Sequence, residues 1–144
     1  MGNKNNICIK KNVLHFVYND KDISIDLNQL EMVYIYNGCA CFYENGQRID
    51  VKDVPIELLE IVMKNSNFLK CGHYHLINIM LVDSVDLEWF DKKQDWDEKY
   101  CVIIKFKNGA KEEITLNSWI KANNLYSKIY DKLFDIKYFQ ELTN

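Results

Sequence analysis

The amino-acid sequence predicts a mainly β protein with a short helix in the middle and a longer helix near its C-terminal end. Segments such as residues 32–36 are rich in β-branched and aromatic residues, which suit the pleated surface of a strand. Asn-Gly pairs, which accept positive φ angles, stand between several of these segments. Apolar residues recur at helical spacing after Pro55 and after Ser118.

The first half of the chain is predicted to be rich in strands. Each predicted strand is a run of alternating or continuous apolar and aromatic residues, at 7–9, 13–18, 32–36, 39–43 and 47–51. The predicted turns contain Asn and Gly or Asp, at Asn19-Asp20-Lys21-Asp22, Asn37-Gly38 and Glu44-Asn45-Gly46. Residues 39–51 therefore form a predicted hairpin.

A short helix is predicted over residues 56–64. Asp53 is the predicted capping residue, and Pro55 suits a first helical turn because its missing N–H would be unpaired there. The apolar face comes from Leu58, Ile61 and Val62, which have i, i+3, i+4 spacing.

The second half repeats the strand pattern and ends in a helix. Residues 81–82 and 85–89 are predicted strands, and residues 91–99, with Trp96 among acidic neighbours, are a predicted surface loop. Residues 101–107 and 110–116 flank Asn108-Gly109, the strongest hairpin signal in the chain.

A C-terminal helix is expected to begin at a cap provided by Asn117 or Ser118 and to extend to about Phe134. The residues expected to face inward are Ala122, Leu125, Tyr126, Ile129 and Leu133.

Composition favours a soluble, cytoplasmic protein with one domain over residues 1–144. The chain is 48% apolar, enough for one core, and contains no run of about 18 apolar residues that could span a membrane. Its five cysteines suggest reduced thiols. The net charge of −3 gives no global signal for nucleic acid, but residues 83–98 hold seven acids and two lysines, so the remainder is slightly basic.

The most distinctive motif is Phe68-Leu69-Lys70-Cys71-Gly72-His73-Tyr74-His75-Leu76-Ile77-Asn78. It resembles the signature of the LytTR family of bacterial DNA-binding domains, which runs roughly Phe-x-Arg-x-His-Arg-Ser-Tyr-x-Val-Asn. Lys70 and His73 stand at the two Arg positions, and Ile77-Asn78 stands at Val-Asn. Gly72 and Tyr74 differ from the family's His and Ser.

The order of the other segments is also similar to that family. Residues 25–35 resemble its early strand, Asn45-Gly46 its hairpin, and residues 56–64 the helix before the signature. Residues 104–109 and 114–117 resemble two later pieces, and the likeness covers residues 23–134.

The resemblance implies an elongated stack of small antiparallel β-sheets whose loops enter successive major grooves of DNA. It implies a stand-alone bacterial transcription regulator that binds duplex DNA and needs no cofactor. The implied DNA contacts are Asn37, Lys70, His73, His75, Asn117 and Ser118. Asn suits adenine, whereas His and Lys suit guanine N7 or phosphate. The family's arginine positions hold His73 and Asn117 here, which should weaken phosphate attraction.

Two alternatives remain open. The same fold could serve as a non-catalytic protein-binding module, of inhibitor or immunity type, with a protein partner near Trp96 or a second copy of the chain. In an extended strand, Cys71, His73 and His75 would share a face and could hold zinc, although this spacing is not that of a standard closed site. An enzyme is not expected, because the Cys-His pair lacks an orienting acid and a Gly-rich loop.

Overall fold

In a computed structural model, residues 7–90 and 99–143 are described, and the chain divides into two compact units at Asn78. The first unit is Met1–Asn78 and the second is Ile79–Asn144. All three sheets are antiparallel, and strands are the commonest element of the described chain as a whole, so the mainly β prediction is confirmed. The expectation of one domain over residues 1–144 stays a prediction.

The first unit begins with a three-stranded antiparallel sheet. Its strands are β1 (Cys8–Lys10), β2 (Val13–Tyr18) and β3 (Lys21–Asp26), in that order. Asn19 and Asp20 have φ angles of 51° and 61° and form a two-residue turn of the kind that matches the twist of a hairpin. The predicted turn is therefore confirmed but shorter, because Lys21 and Asp22 already belong to β3.

The larger sheet of the first unit has five strands in the order β6-β5-β4-β8-β7. The strands are β4 (Leu30–Tyr36), β5 (Cys39–Glu44), β6 (Gln47–Val51), β7 (Phe68–Cys71) and β8 (His75–Asn78). Between β6 and β7 lies α1 (Ile56–Lys64), with the predicted bounds. Leu58 and Val62 are buried on α1 in the same core cluster as Phe42 and Leu76 of the sheet.

Two local predictions in the first unit were wrong. The continuous strand over residues 25–35 is broken by a turn at residues 27–29, because the Asp26 carboxylate accepts the Asn28 amide at 2.9 Å, which favours a turn over a strand. Asp53 does not cap α1. It lies in a turn with φ of 51°, and Pro55 occupies the capping position without a side-chain hydrogen bond.

The second unit has a three-stranded antiparallel sheet and a long helix. Its strands are β9 (Val82–Phe90), β10 (Lys99–Phe106) and β11 (Lys111–Leu116), with β10 in the centre. The predicted Asn108-Gly109 hairpin is confirmed as the connection between β10 and β11. The two predicted strands at 81–82 and 85–89 are one strand, and a short 3-10 turn (Ile79–Leu81) precedes it.

The helix α2 (Trp119–Thr143) is longer than predicted. Ala122, Leu125, Ile129 and Leu133 are buried as expected, and Tyr126 is half-buried. The sequence after Phe134 contains no Gly or Pro to end the helix, so it continues for nine more residues. Trp96 and the rest of the predicted loop up to residue 98 lie outside the described residues. Within the described part of the chain, no helix combines the length and apolar content needed to cross a membrane.

Candidate nucleic-acid interface

The five-stranded sheet brings two of the predicted contact turns together. Strands β4 and β8 pair with Tyr34 opposite His75, and the Tyr74 carbonyl accepts the Ile35 amide at 2.7 Å. The turn Asn37-Gly38 after β4 and the turn Gly72–Tyr74 before β8 therefore lie side by side. We call this edge, with Lys52 directly after β6, the His73 end of the sheet.

The local sequence explains both turns at the His73 end. Asn37 and Gly38 have φ angles of 50° and 75°, as a tight two-residue hairpin turn requires. Gly72 has a φ of 66°, which lets the chain reverse between Cys71 and His75, the closing pair of β7 and β8. Asn37 and His73 are both exposed, so their polar groups face solvent at this edge.

An aromatic cluster that the sequence reasoning missed adjoins these turns. The Tyr34 ring lies 6.4 Å from Tyr36, 6.2 Å from Tyr74 and 4.9 Å from His75. Tyr36 and Tyr74 also meet edge to face at 5.8 Å, and they are 52% and 47% exposed. The signal was present, because tyrosines two residues apart on a strand share a face, and Tyr74 lies inside the signature.

His75 has a different environment from His73. It is 9% exposed and packs against the Tyr34 ring, so it has little surface to offer a base or a phosphate. His75 therefore packs against the aromatic cluster and supports the Tyr34 ring. His73, in contrast, is exposed, and its ring lies 6.1 Å from Tyr74 in the turn.

The two ends of the sheet differ in charge. Near the His73 end, the sheet and its turns carry the exposed lysines Lys52 and Lys70, with Asp53 as the acidic neighbour. The opposite edge, which we call the Asn45 end after its Asn45-Gly46 turn, carries Glu31 and Glu44. The Glu31 carboxylate accepts the Gly46 amide at 2.9 Å, and the Glu44 carboxylate accepts the Asp26 amide. The first edge therefore presents lysines, whereas at the second edge Glu31 is buried and Arg48, two residues after the turn, accompanies Glu44.

The remaining predicted contacts, Asn117 and Ser118, belong to the second unit. The Ser118 hydroxyl lies 3.5 Å from the Lys121 amide, and its carbonyl accepts the Ala122 amide at 3.0 Å. Ser118 is thus the cap of α2, one of the two residues predicted for that position. Asn117 is exposed in the bend before the helix.

Asn78, the last residue of the signature, is buried and stabilises the sheet. It is 2% exposed, and its side-chain amide donates to the Leu27 carbonyl at 3.1 Å. A buried amide of this kind ties the end of β8 to the turn before β4. The Asn of the motif therefore maintains the sheet that presents the His73 end.

The chain's one arginine is engaged on the same sheet. Arg48 Nε lies 2.7 Å from Asp50 Oδ1, and its guanidinium reaches the Cys41 sulfur at 3.3 Å and lies over the Tyr43 ring. The hydrogen bond from Arg48 lowers the pKa of Asp50. Burial, followed by the nearby Asp50, raises the pKa of the Cys41 thiol. An activated cysteine requires a lowered pKa, so Cys41 does not fit the role of a nucleophile.

The geometry needed for the zinc alternative is not formed. Cys71 and His75 lie opposite each other on β7 and β8, and His73 is in the turn between them, so the three do not share one extended strand. Within residues 7–90 and 99–143, no group of three or more His, Cys, Asp or Glu residues could hold a metal ion.

Comparison with known proteins identifies the fold. No protein-family model and no curated protein sequence matches the chain. A solved LytTr DNA-binding domain from Bacillus cereus is similar in structure, with a TM-score of 0.53 and 12% sequence identity. The match covers 87% of this chain and 98% of that domain. The chain therefore has a LytTR-like, mainly β fold, as the signature and the order of segments predicted.

Proposed function

We propose that the chain binds duplex DNA in a sequence-specific manner through the His73 end and acts as a bacterial transcription regulator. One observation carries this proposal: two exposed polar turns meet at one end of a sheet, next to Lys52 and Lys70. Its LytTR-like fold supports the same reading, because the similar solved structure is a DNA-binding domain.

The proposed contacts have distinct roles. The Asn37 amide can donate to and accept from an adenine edge, and His73 can bind guanine N7 or a phosphate. Lys52 and Lys70 supply phosphate contacts that fix position without reading sequence. Asn117, exposed at the start of α2, is a further contact from the second unit. His75 and Ser118 act indirectly, through the Tyr34 ring and the cap of α2.

The small number of cations sets the expected salt dependence. With phosphate contacts from Lys52 and Lys70, the logarithm of the binding constant should fall with the logarithm of salt concentration with a slope of roughly −2. The protein would then be a weak binder of non-specific DNA.

The test is selection of the purified chain against random duplex DNA, followed by titration of the enriched sequence across a salt series. His73→Ala should weaken binding about fivefold or more, because a lost base contact costs about 1 kcal/mol or more. His15→Ala is the matched control, since the His15 ring is bonded to Ser24 at 2.9 Å on the smaller sheet. No enriched motif, and no binding at the lowest salt, would contradict the proposal.

A second function is favoured by one specific observation, the exposed rings of Tyr36 and Tyr74. Tyrosine is enriched in the hot spots of protein interfaces, and this cluster has no acidic member. On this reading, the chain is a protein-binding module of inhibitor or immunity type. A protein ligand selected by display should lose about 30-fold or more in affinity on Tyr74→Ser. A ligand that binds the Tyr74→Ser chain unchanged would refute this reading.

A further inference from the structure

The last turns of α2 carry a row of large exposed side chains. Tyr130, Phe134, Tyr138 and Leu142 are 50%, 59%, 53% and 66% exposed. Side chains four residues apart on a helix lie one above another, so these four form a continuous strip, which we call the α2 stripe.

The α2 stripe is separate from the face that packs in the second unit. Tyr130 follows the buried Ile129, and Phe134 follows the buried Leu133, so the two faces lie about 100° apart around the helix axis. The ring planes of Phe134 and Tyr138 are within 8° of parallel, with centroids 6.3 Å apart. The stripe is therefore an exposed, largely aromatic ridge, distinct from the buried face of the helix.

The exposed area suits an interface. Because an aromatic side chain buries about 150–250 Å² when covered, the uncovered parts of these four side chains amount to roughly 400 Å². This is about as large as the largest apolar patch on a typical monomer, at roughly 300–600 Å², and such patches are often functional. A standard interface buries about 800 Å² on each partner, so the stripe would supply about half.

The charges around the stripe indicate its partner. The exposed charged residues between Lys128 and Lys137 alternate in sign: Lys128, Asp131, Lys132, Asp135 and Lys137. A surface with both signs interspersed can face an identical surface without net repulsion, whereas a strongly charged partner would meet no dominant opposite sign. We infer that a second copy of this chain packs on the α2 stripe, so that the two stripes form a twofold-symmetric helix pair.

This inference needs no DNA, and its test is independent of the proposed function. Sedimentation equilibrium of the purified chain, from micromolar to submillimolar concentration, should show a monomer–dimer equilibrium. Phe134→Glu combined with Tyr138→Glu should raise the dissociation constant at least about 100-fold, because charges would replace two central anchors. The matched control is Ile56→Glu, which alters an apolar residue 68% exposed on α1 and should leave the equilibrium unchanged.

Circular dichroism and thermal unfolding check that each variant is folded. Should the double variant fail to fold, Leu142→Lys near the end of the helix tests the same surface without approaching the buried positions, and it should also favour the monomer. A wild-type chain that is monomeric at every concentration, as it would be if another protein covered the stripe, would overturn the inference. So would a dimer that persists in folded stripe variants.

Discussion

The two ends of the five-stranded sheet use the same turn chemistry in different ways. Each has an Asn-Gly turn, with φ angles of 50° and 75° at Asn37-Gly38 and of 48° and 82° at Asn45-Gly46. At the Asn45 end, the Gln29 carbonyl accepts the Asn45 amide and the Glu31 carboxylate accepts the Gly46 amide. At the Asn37-Gly38 turn the bonded group is instead the Gly38 carbonyl, which accepts the Val54 amide at 2.9 Å, so two identical turn sequences present different groups to a ligand.

Charge and burial extend this contrast. The Asn45 end has carboxylates and the buried Asn78, which bonds to the Leu27 carbonyl. The His73 end has lysines, exposed tyrosine rings and an exposed His73. We expect substitutions at the Asn45 end to lower the free energy of unfolding. We expect substitutions at the His73 end to weaken the binding of selected DNA.

The largest effect is expected from Asn78→Ala at the Asn45 end. Losing the buried amide leaves the Leu27 carbonyl without this donor, and the free energy of unfolding should fall by about 1–3 kcal/mol. Denaturant titration measures the change. His73→Ala, at the exposed edge, should stay within about 0.5 kcal/mol of the wild-type value. Equal losses in both variants would remove the distinction between the two ends.

The paired substitutions Asn37→Gly and Asn45→Gly compare the turns directly. Glycine accepts positive φ, so both variants lose a side-chain amide while the turn is preserved. Asn37→Gly should weaken binding of the selected DNA about tenfold to a hundredfold, because a bidentate contact to a base is worth about 1–3 kcal/mol. Asn45→Gly should bind like the wild type. Fluorescence anisotropy at fixed salt would decide, and similar losses in both would contradict the assignment.

The lysines should produce a smaller, sequence-independent effect. Replacing Lys52 and Lys70 together with uncharged residues should reduce the salt dependence of DNA binding. The slope of the logarithm of the binding constant against the logarithm of salt concentration should become shallower by up to about 2. The affinities for selected and scrambled DNA should fall by similar factors, because phosphate contacts carry no base information. A loss confined to the selected sequence would instead assign base reading to one of the lysines.

The smallest effect concerns pH and the Arg48–Asp50 pair. Because the folded state lowers the pKa of Asp50, the pair stabilises the protein above the unfolded value of about 3.9. That stabilisation is lost as pH falls through the folded pKa. Asp50→Asn should therefore be slightly less stable than the wild type at neutral pH and equal to it in strong acid. The difference is small because both side chains are 57% exposed.

Sequence reasoning succeeded where the cause was local. The hairpin at Asn108-Gly109 follows from turn chemistry, and the buried positions of α2 follow from helical spacing. It failed at residues 25–35, where a single Asp26 side chain stabilises a turn inside an apparent strand. The sequence prediction also ended α2 too early. It followed the apolar face, which ends near Leu133, whereas the helix continues to Thr143.

The candidate site was predicted residue by residue but not as an arrangement. Asn37 and His73 are far apart in sequence, and their proximity depends on the pairing of β4 with β8, which no local pattern encodes. The burial of His75 under Tyr34 depends on the same pairing. Contact of any of these residues with DNA stays a prediction.

The engagement of Arg48 by Asp50 and Cys41 has a consequence for the composition of a target site. Arginine is the side chain that most often reads guanine, through paired hydrogen bonds to O6 and N7. In the proposed complex, with the one guanidinium paired with Asp50, bases would be read through Asn37, which suits adenine, and through His73, which can bind guanine N7. We expect the selected sites to be rich in A·T pairs, with a strongly preferred guanine only where His73 makes its contact.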